Sequence, residues 1–207
     1  MLRDRPRLVG AAAVVGSVAL LASTAIQAMV PVPDAYQFDP ALTDPQSLRN
    51  TVAPGLTLAG IATHVALLFV RAGAESGLRL WGRRITLFGL VGAFVGYAGL
   101  FAFDAGVGPL AGIVAGLFAL LALVTVGVAG LGVGLYGVAL LRDDRRIDRG
   151  AGALLLLAPL LGGAITVLDV GFWLPTAVYA AGMALLGYAG WRASGTRGVD
   201  TSAATAE

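Results

Sequence analysis

The chain has 207 residues and a formal net charge of +2; 57% of its residues are hydrophobic and only 13% are charged. Soluble domains carry about 25% charged residues, and a fold of this length leaves too much of its surface exposed to hide so many apolar side chains from water. The mean hydropathy of +0.84 therefore excludes a water-soluble globular domain and predicts that lipid surrounds most of the chain.

Two residue types are missing, and their absence excludes several kinds of chemistry. The chain has no cysteine and no lysine, which excludes disulfides, thiolate catalysis, Schiff-base catalysis and a Walker-type phosphate lysine. The apolar segments hold no cluster of histidines and carboxylates, so we expect neither a metal nor another cofactor. Arginine in place of lysine, and ten aspartates against two glutamates, resemble the composition of halophilic archaea with GC-rich genomes.

The arginines predict the topology. Thirteen of the fourteen fall in four clusters that long apolar segments separate, and only Arg49 lies elsewhere. The clusters are Arg3, Arg5 and Arg7; Arg71, Arg79, Arg83 and Arg84; Arg142, Arg145, Arg146 and Arg149; Arg192 and Arg197. Because positive loops stay in the cytoplasm, two crossings must separate consecutive clusters. We predict an all-α polytopic membrane bundle of about six transmembrane helices in three antiparallel hairpins, with both termini inside.

Six segments approach the roughly 20 helical residues that a bilayer core requires. In chain order they are 8–30, 51–70, 85–103, 110–141, 151–168 and 175–191. The first also resembles a cleavable signal peptide, but its apolar run is longer than usual, which favours a retained anchor. The fourth either crosses as one tilted helix or breaks near Gly112 or Gly116. We expect residues 1–191 to form a single bundle and residues 192–207 to form a disordered cytoplasmic tail.

The segments between the spans differ in charge between the predicted inner and outer faces of the membrane. Residues 71–84 and 142–150 are predicted inner loops, and residues 31–50 form the only sizeable outer loop. The predicted inner face carries thirteen arginines against seven acids, and the outer face one arginine against five acids. Since the arginines lie at span ends with no basic domain behind them, we expect contact with membrane lipids and no nucleic-acid partner.

Glycines form two strips with the same 3-4-3 spacing, a pattern that favours close helix packing. At 100° per residue each strip stays on one helix face, and small strips let helix backbones approach closely in lipid. We expect the third and fourth spans to pack on each other; the alternative is that one strip contacts another subunit or a partner protein. The glycines are Gly89, Gly92, Gly96 and Gly99 in the third span, and Gly127, Gly130, Gly134 and Gly137 in the fourth.

Four polar or helix-breaking residues inside the spans are candidates for transport or polar contacts. His64 is the one titratable side chain well inside a span, where a charge is costly, and Thr57 lies two turns earlier on the same face. Gln27 lies on a polar face of the first span. Interhelical hydrogen bonding and a proton or substrate path both fit these residues. Pro159 interrupts the fifth span and predicts either a simple kink or a broken helix around a substrate.

The sequence contains no catalytic arrangement, and we expect the protein not to be an enzyme. No nucleophile elbow or intramembrane aspartate pair is present, and a serine could meet His64 only through packing that the sequence does not specify. The leading hypothesis is a small multi-pass protein of the cell membrane, a structural, accessory or self-associating component that is a homo-oligomer or part of a larger complex. The alternative is a small transporter or channel with a midplane cavity near His64 and the Pro159 kink.

Overall fold

A computed structural model describes residues 5–30, 47–71, 77–104, 109–168 and 173–196. The described residues are 96% helical and contain no strand. They form six α-helices and one short π-helical turn, Leu48–Val52. The helices are α1 (Arg5–Met29), α2 (Ala53–Val70), α3 (Gly77–Asp104), α4 (Pro109–Leu141), α5 (Arg146–Leu168) and α6 (Trp173–Thr196).

Several helices extend beyond the apolar segments that predict them. The segment 71–84, interpreted as a loop, contributes its second half to α3, which begins at Gly77 with a positive φ of 59° and continues through Gly82 without a break. Helix α5 likewise begins within the predicted inner loop 142–150, at Arg146. Helix α6 continues into the segment predicted to be disordered and ends at Thr196; residues 197–207 lie outside the described part.

The long apolar run in the middle of the chain is one continuous helix. Helix α4 has 33 residues and does not break at Gly112 or Gly116. At 1.5 Å per residue it is about 50 Å long, well above the roughly 30 Å of a hydrocarbon core. The helix must therefore tilt within a bilayer or project from it.

The six helices form a closed ring. Each helix packs against its neighbours in the chain, and α1 and α6 also pack on each other. The contacts show the direction of each pair: Gly96 lies against Ala122, whereas Gly82, fourteen residues earlier, lies against Tyr136. Helices α3 and α4 therefore run antiparallel. All six helices contribute to one hydrophobic core, which includes Ala13, Leu68, Leu90, Tyr136, Leu155 and Leu186.

The outside of the ring is apolar. Phe88, Leu110 and Leu123 each expose more than 70% of their surface, and a large continuous apolar exterior is not stable in water. Five of the helices described here are long and apolar enough to cross a membrane. Helix α6 is not among them. The fold indicates a membrane-embedded protein.

Two ends of the bundle differ in charge. Arg79 pairs with Asp143 and Arg71 with Asp148, so the second and third arginine clusters lie at one end. We name this the arginine end. At the other end, which we name the Arg49 end, the guanidinium of Arg49 donates to the backbone oxygen of Gln27 at 2.6 Å and to that of Val30. Arg49 thus satisfies carbonyls that the end of α1 leaves without helical partners.

Candidate functional site

Helix α1 lies unusually close to both of its neighbours. A Cβ atom on Gly10 would lie 2.6 Å from the backbone oxygen of Gly187 on α6, and one on Gly60 of α2 would lie 2.9 Å from the backbone oxygen of Gly16. Real Cβ atoms do not approach oxygens so closely, so only glycine fits at these crossings. The close approach brings the short side chain of Ser17 within reach of α2.

His64 links three helices through side-chain hydrogen bonds. Its Nε2 lies 2.9 Å from the Oγ of Ser17 on α1, and its Nδ1 lies 3.2 Å from the hydroxyl of Tyr179 on α6. The two rings of His64 and Tyr179 meet edge to face, with centroids 5.3 Å apart. We name Ser17, His64 and Tyr179 the His64 network.

One tautomer of His64 satisfies all of these hydrogen bonds together. The hydroxyl of Ser17 has one hydrogen, which it donates to the backbone oxygen of Ala13 at 2.8 Å. Ser17 must then accept from His64, so the proton of a neutral imidazole is on Nε2. Nδ1 carries the lone pair and accepts from Tyr179. Both nitrogens of the fully buried ring are therefore satisfied without a charge.

The distance between Ser17 and His64 is typical of a nucleophile and its general base, but the directions of their hydrogen bonds are not. A general base needs a lone pair directed at the hydroxyl proton, whereas here Nε2 donates to Ser17 and the hydroxyl proton is directed at Ala13. Ser17 is 1% exposed and His64 is 0% exposed, so both are shielded from solvent. The hydrogen bond joins α1 to α2.

Thr57 and Gln27 belong to a separate cluster nearer the Arg49 end. The hydroxyl of Ser23 donates to the backbone oxygen of Ala53 at 2.8 Å and lies 2.7 Å from the Oγ1 of Thr57. The amide nitrogen of Gln27 donates to Ser23 at 3.2 Å. The cluster therefore bonds α1 to α2, two helical turns away from the imidazole of His64.

Pro159 is directed at a different interface from His64. A Cβ atom on Gly134 would lie 3.5 Å from the ring of Pro159, and one on Gly130 would lie 3.8 Å from it. Pro159 thus occupies the contact between α5 and α4, whereas the partners of His64 are on α1 and α6. These contacts do not bring the two candidate transport residues together.

The two glycine strips face different helices. Gly89, Gly92, Gly96 and Gly99 all lie against α4, where they meet Ala129, Thr125, Ala122 and Phe118 respectively. Gly137 of the other strip lies against Leu156 of α5, and Gly130 and Gly134 also face α5. Gly127 has no neighbouring atom within 4 Å of an added Cβ. The third and fourth spans pack tightly, but their strips do not face each other.

One carboxylate at the arginine end is buried in the bundle. Asp148, only 1% exposed, lies 2.9 Å from the guanidinium of Arg71, which also donates to the backbone oxygen of Leu186. This contact joins the end of α2 and the start of α5 to the interior of α6. No sequence pattern indicates that Asp148 is buried, although its place in the first turn of α5 suits a carboxylate.

Asp143 forms the second ion pair, in the turn between α4 and α5. Its carboxylate lies 2.9 Å from Arg79 and accepts from the backbone N–H of Arg145. Partial burial raises the pKa of Asp143, but the hydrogen bond from Arg145 and the guanidinium of Arg79 outweigh it and hold that pKa below its usual value. The turn is thereby fixed to α3.

The described residues include no group of three or more His, Cys, Asp and Glu side chains that could hold a metal ion. Comparison of the chain with protein-family models, with curated proteins and with solved structures finds no match.

Proposed function

We propose that this protein is a non-catalytic component of the cell membrane that associates with copies of itself, as a homo-oligomer or within a larger complex. In this proposal the chain crosses the bilayer six times as three antiparallel hairpins, with the arginine end and both termini in the cytoplasm. Helix α6 is then a sixth crossing that is shielded by α1 and α5, so that it tolerates more polar residues than a helix surrounded by lipid.

The use of the polar side chains supports a packing role. The His64 network bonds α1, α2 and α6, and the Ser23 cluster bonds α1 and α2. The Arg71 ion pair joins α2 to α5. Interhelical hydrogen bonds of this kind stabilise bundles in lipid. In all three places the polar atoms are directed at other helices.

One exposed face in the first half of α4 is the basis of the association proposal. Helix α5 is ten residues shorter than α4 and packs on its second half. In the first half Leu110, Ile113 and Leu117 are more than 60% exposed, and nothing lies within 4 Å of a Cβ added to Gly112 or Gly116. Two glycines four residues apart beside large apolar side chains form a groove that accepts another helix closely.

The alternative function is a small transporter or channel whose cavity lies between His64 and Pro159. That mechanism requires both residues to face one space. Pro159 instead contacts α4, and His64 uses both ring nitrogens on α1 and α6. Association is therefore the function that these contacts support better.

Native mass spectrometry of the purified protein, released from lipid nanodiscs, tests the proposal. We expect a defined oligomer that Gly116→Leu dissociates, because the leucine fills the groove. The matched control is Gly55→Leu, at an exposed site on α2 with equal free space, and it should leave the oligomer intact. A monomer under all conditions, or an oligomer that survives Gly116→Leu, contradicts the proposal.

A further inference from the structure

At the arginine end the acidic side chains are mostly paired with arginines, whereas most of the arginines are exposed. The carboxylate of Asp148 is buried against Arg71, and the partly exposed carboxylate of Asp143 pairs with Arg79. Six arginines are exposed among the described residues of the second cluster, the third cluster and the start of the fourth. In the same residues Asp144 is the one exposed acid. The six are Arg84, Arg142, Arg145, Arg146, Arg149 and Arg192. The outward surface of this end is therefore strongly cationic.

The turn between α4 and α5 holds part of this surface in place. Asp143 accepts from the backbone N–H of Arg145 at 3.2 Å, while the side chain of Arg149 donates to the backbone oxygen of Asp143 at 2.6 Å. The ion pair with Arg79 fixes the same residue to α3. The exposed guanidinium groups of this turn thus extend from a backbone that is already ordered, which lowers the entropic cost of binding an anion.

Exposed aromatic rings beside two of the arginines indicate where lipid headgroups lie. The guanidinium of Arg84 lies 6.0 Å from the ring of Trp81, which is 60% exposed. On α6 the guanidinium of Arg192 lies 5.7 Å from the ring of Tyr188. Aromatic side chains settle at the headgroup level of a bilayer, and arginine stacks on them while keeping its donors free for phosphate.

We propose that the arginine end is a binding surface for anionic phospholipid headgroups. The exposed guanidinium groups supply paired donors that match phosphate oxygens, and the two arginine–aromatic pairs place these donors at the depth of the phosphates. A soluble phosphate would satisfy the donors equally well, but it would not account for exposed aromatic rings next to Arg84 and Arg192. This inference does not depend on self-association.

Competitive retention of lipids tests the inference. The protein is reconstituted in nanodiscs of equimolar phosphatidylglycerol and phosphatidylcholine, then released in the mass spectrometer, and the bound lipids are identified. We expect preferential retention of phosphatidylglycerol. In Arg145→Gln/Arg146→Gln the apparent affinity for that lipid should fall about 25-fold, at roughly fivefold for each arginine near an anionic surface.

Two controls separate the other outcomes. Asp144→Asn alters the same exposed turn but removes a negative charge, so it should retain phosphatidylglycerol at least as well as the original protein. Thermal unfolding of the double variant should be unchanged, because Arg145 and Arg146 are both exposed. Equal retention of the two lipids, or no change in the double variant, overturns the inference. Displacement of phosphatidylglycerol by inorganic phosphate assigns the surface to a soluble anion and also overturns it.

Discussion

Gly96 offers the sharpest test of how α3 and α4 pack. A Cβ atom there would lie 2.6 Å from the backbone nitrogen of Ala122 and 2.7 Å from its Cα. Both are backbone atoms of a long helix and cannot rotate away, so the two helices must separate. Overpacking of this kind costs roughly 1–3 kcal/mol, and alanine recovers about 0.5–1 kcal/mol of helix propensity. We expect Gly96→Ala to destabilise the protein by about 1 kcal/mol, the difference between these two terms.

The free energy of unfolding in mixed micelles, titrated with a denaturing detergent, measures this loss. Gly127→Ala is the matched control, because Gly127 lies on the same helix pair and nothing is within 4 Å of its added Cβ. Without a clash, this control should be neutral or gain up to about 1 kcal/mol. If both variants change stability by the same amount, α3 and α4 do not pack through the contact of Gly96 with Ala122.

Three further predictions concern the polar contacts. Tyr179→Phe leaves Nδ1 of His64 without a donor and should cost about 1–3 kcal/mol of unfolding free energy; no measurable loss would contradict the assigned network. Arg71→Gln leaves the carboxylate of Asp148 buried and unpaired, so it should cost about 3–5 kcal/mol, whereas the double replacement Arg71→Leu/Asp148→Leu should recover much of that loss. The pKa of Asp143 is lowered in the fold, so its ion pair stabilises the protein above about pH 3.8, and this stabilisation is lost as the pH falls below that value. The difference in melting temperature between the original protein and Asp143→Asn should therefore vanish on acidification.

The helical segments follow from the sequence because long apolar runs have one low-energy structure in lipid. Each of the six predicted spans overlaps one helix of the structure, although α1 ends at Met29, one residue before the predicted end, and the second predicted span begins in the π-helical turn. The ends were less well defined: hydropathy marks where lipid contact ceases, whereas a helix continues until its backbone meets a breaker. Arg79 and Arg84 were for this reason assigned to a loop although they lie in α3.

The candidate site was harder to predict because it depends on which helices meet. The sequence singles out His64 and places Thr57 on the same face, but the partner of His64 is Ser17. That contact requires Gly16 and Gly60 at the α1–α2 crossing, and neither glycine belongs to a regular strip. The contact with Tyr179 joins residues 115 positions apart, and no local pattern encodes such a distance.

The side of the membrane on which each connection lies tests the account most directly. The chain has no cysteine, so single replacements at Asp39, Asp144, Asp169 and Val199 can each be probed with an impermeant maleimide on intact cells. We predict that cysteines at 39 and 169 react from outside, and that those at 144 and 199 react only after permeabilisation. Reaction of 39 and 144 from the same side would contradict the proposed topology, and reaction of 169 and 199 from the same side would remove α6 as a crossing.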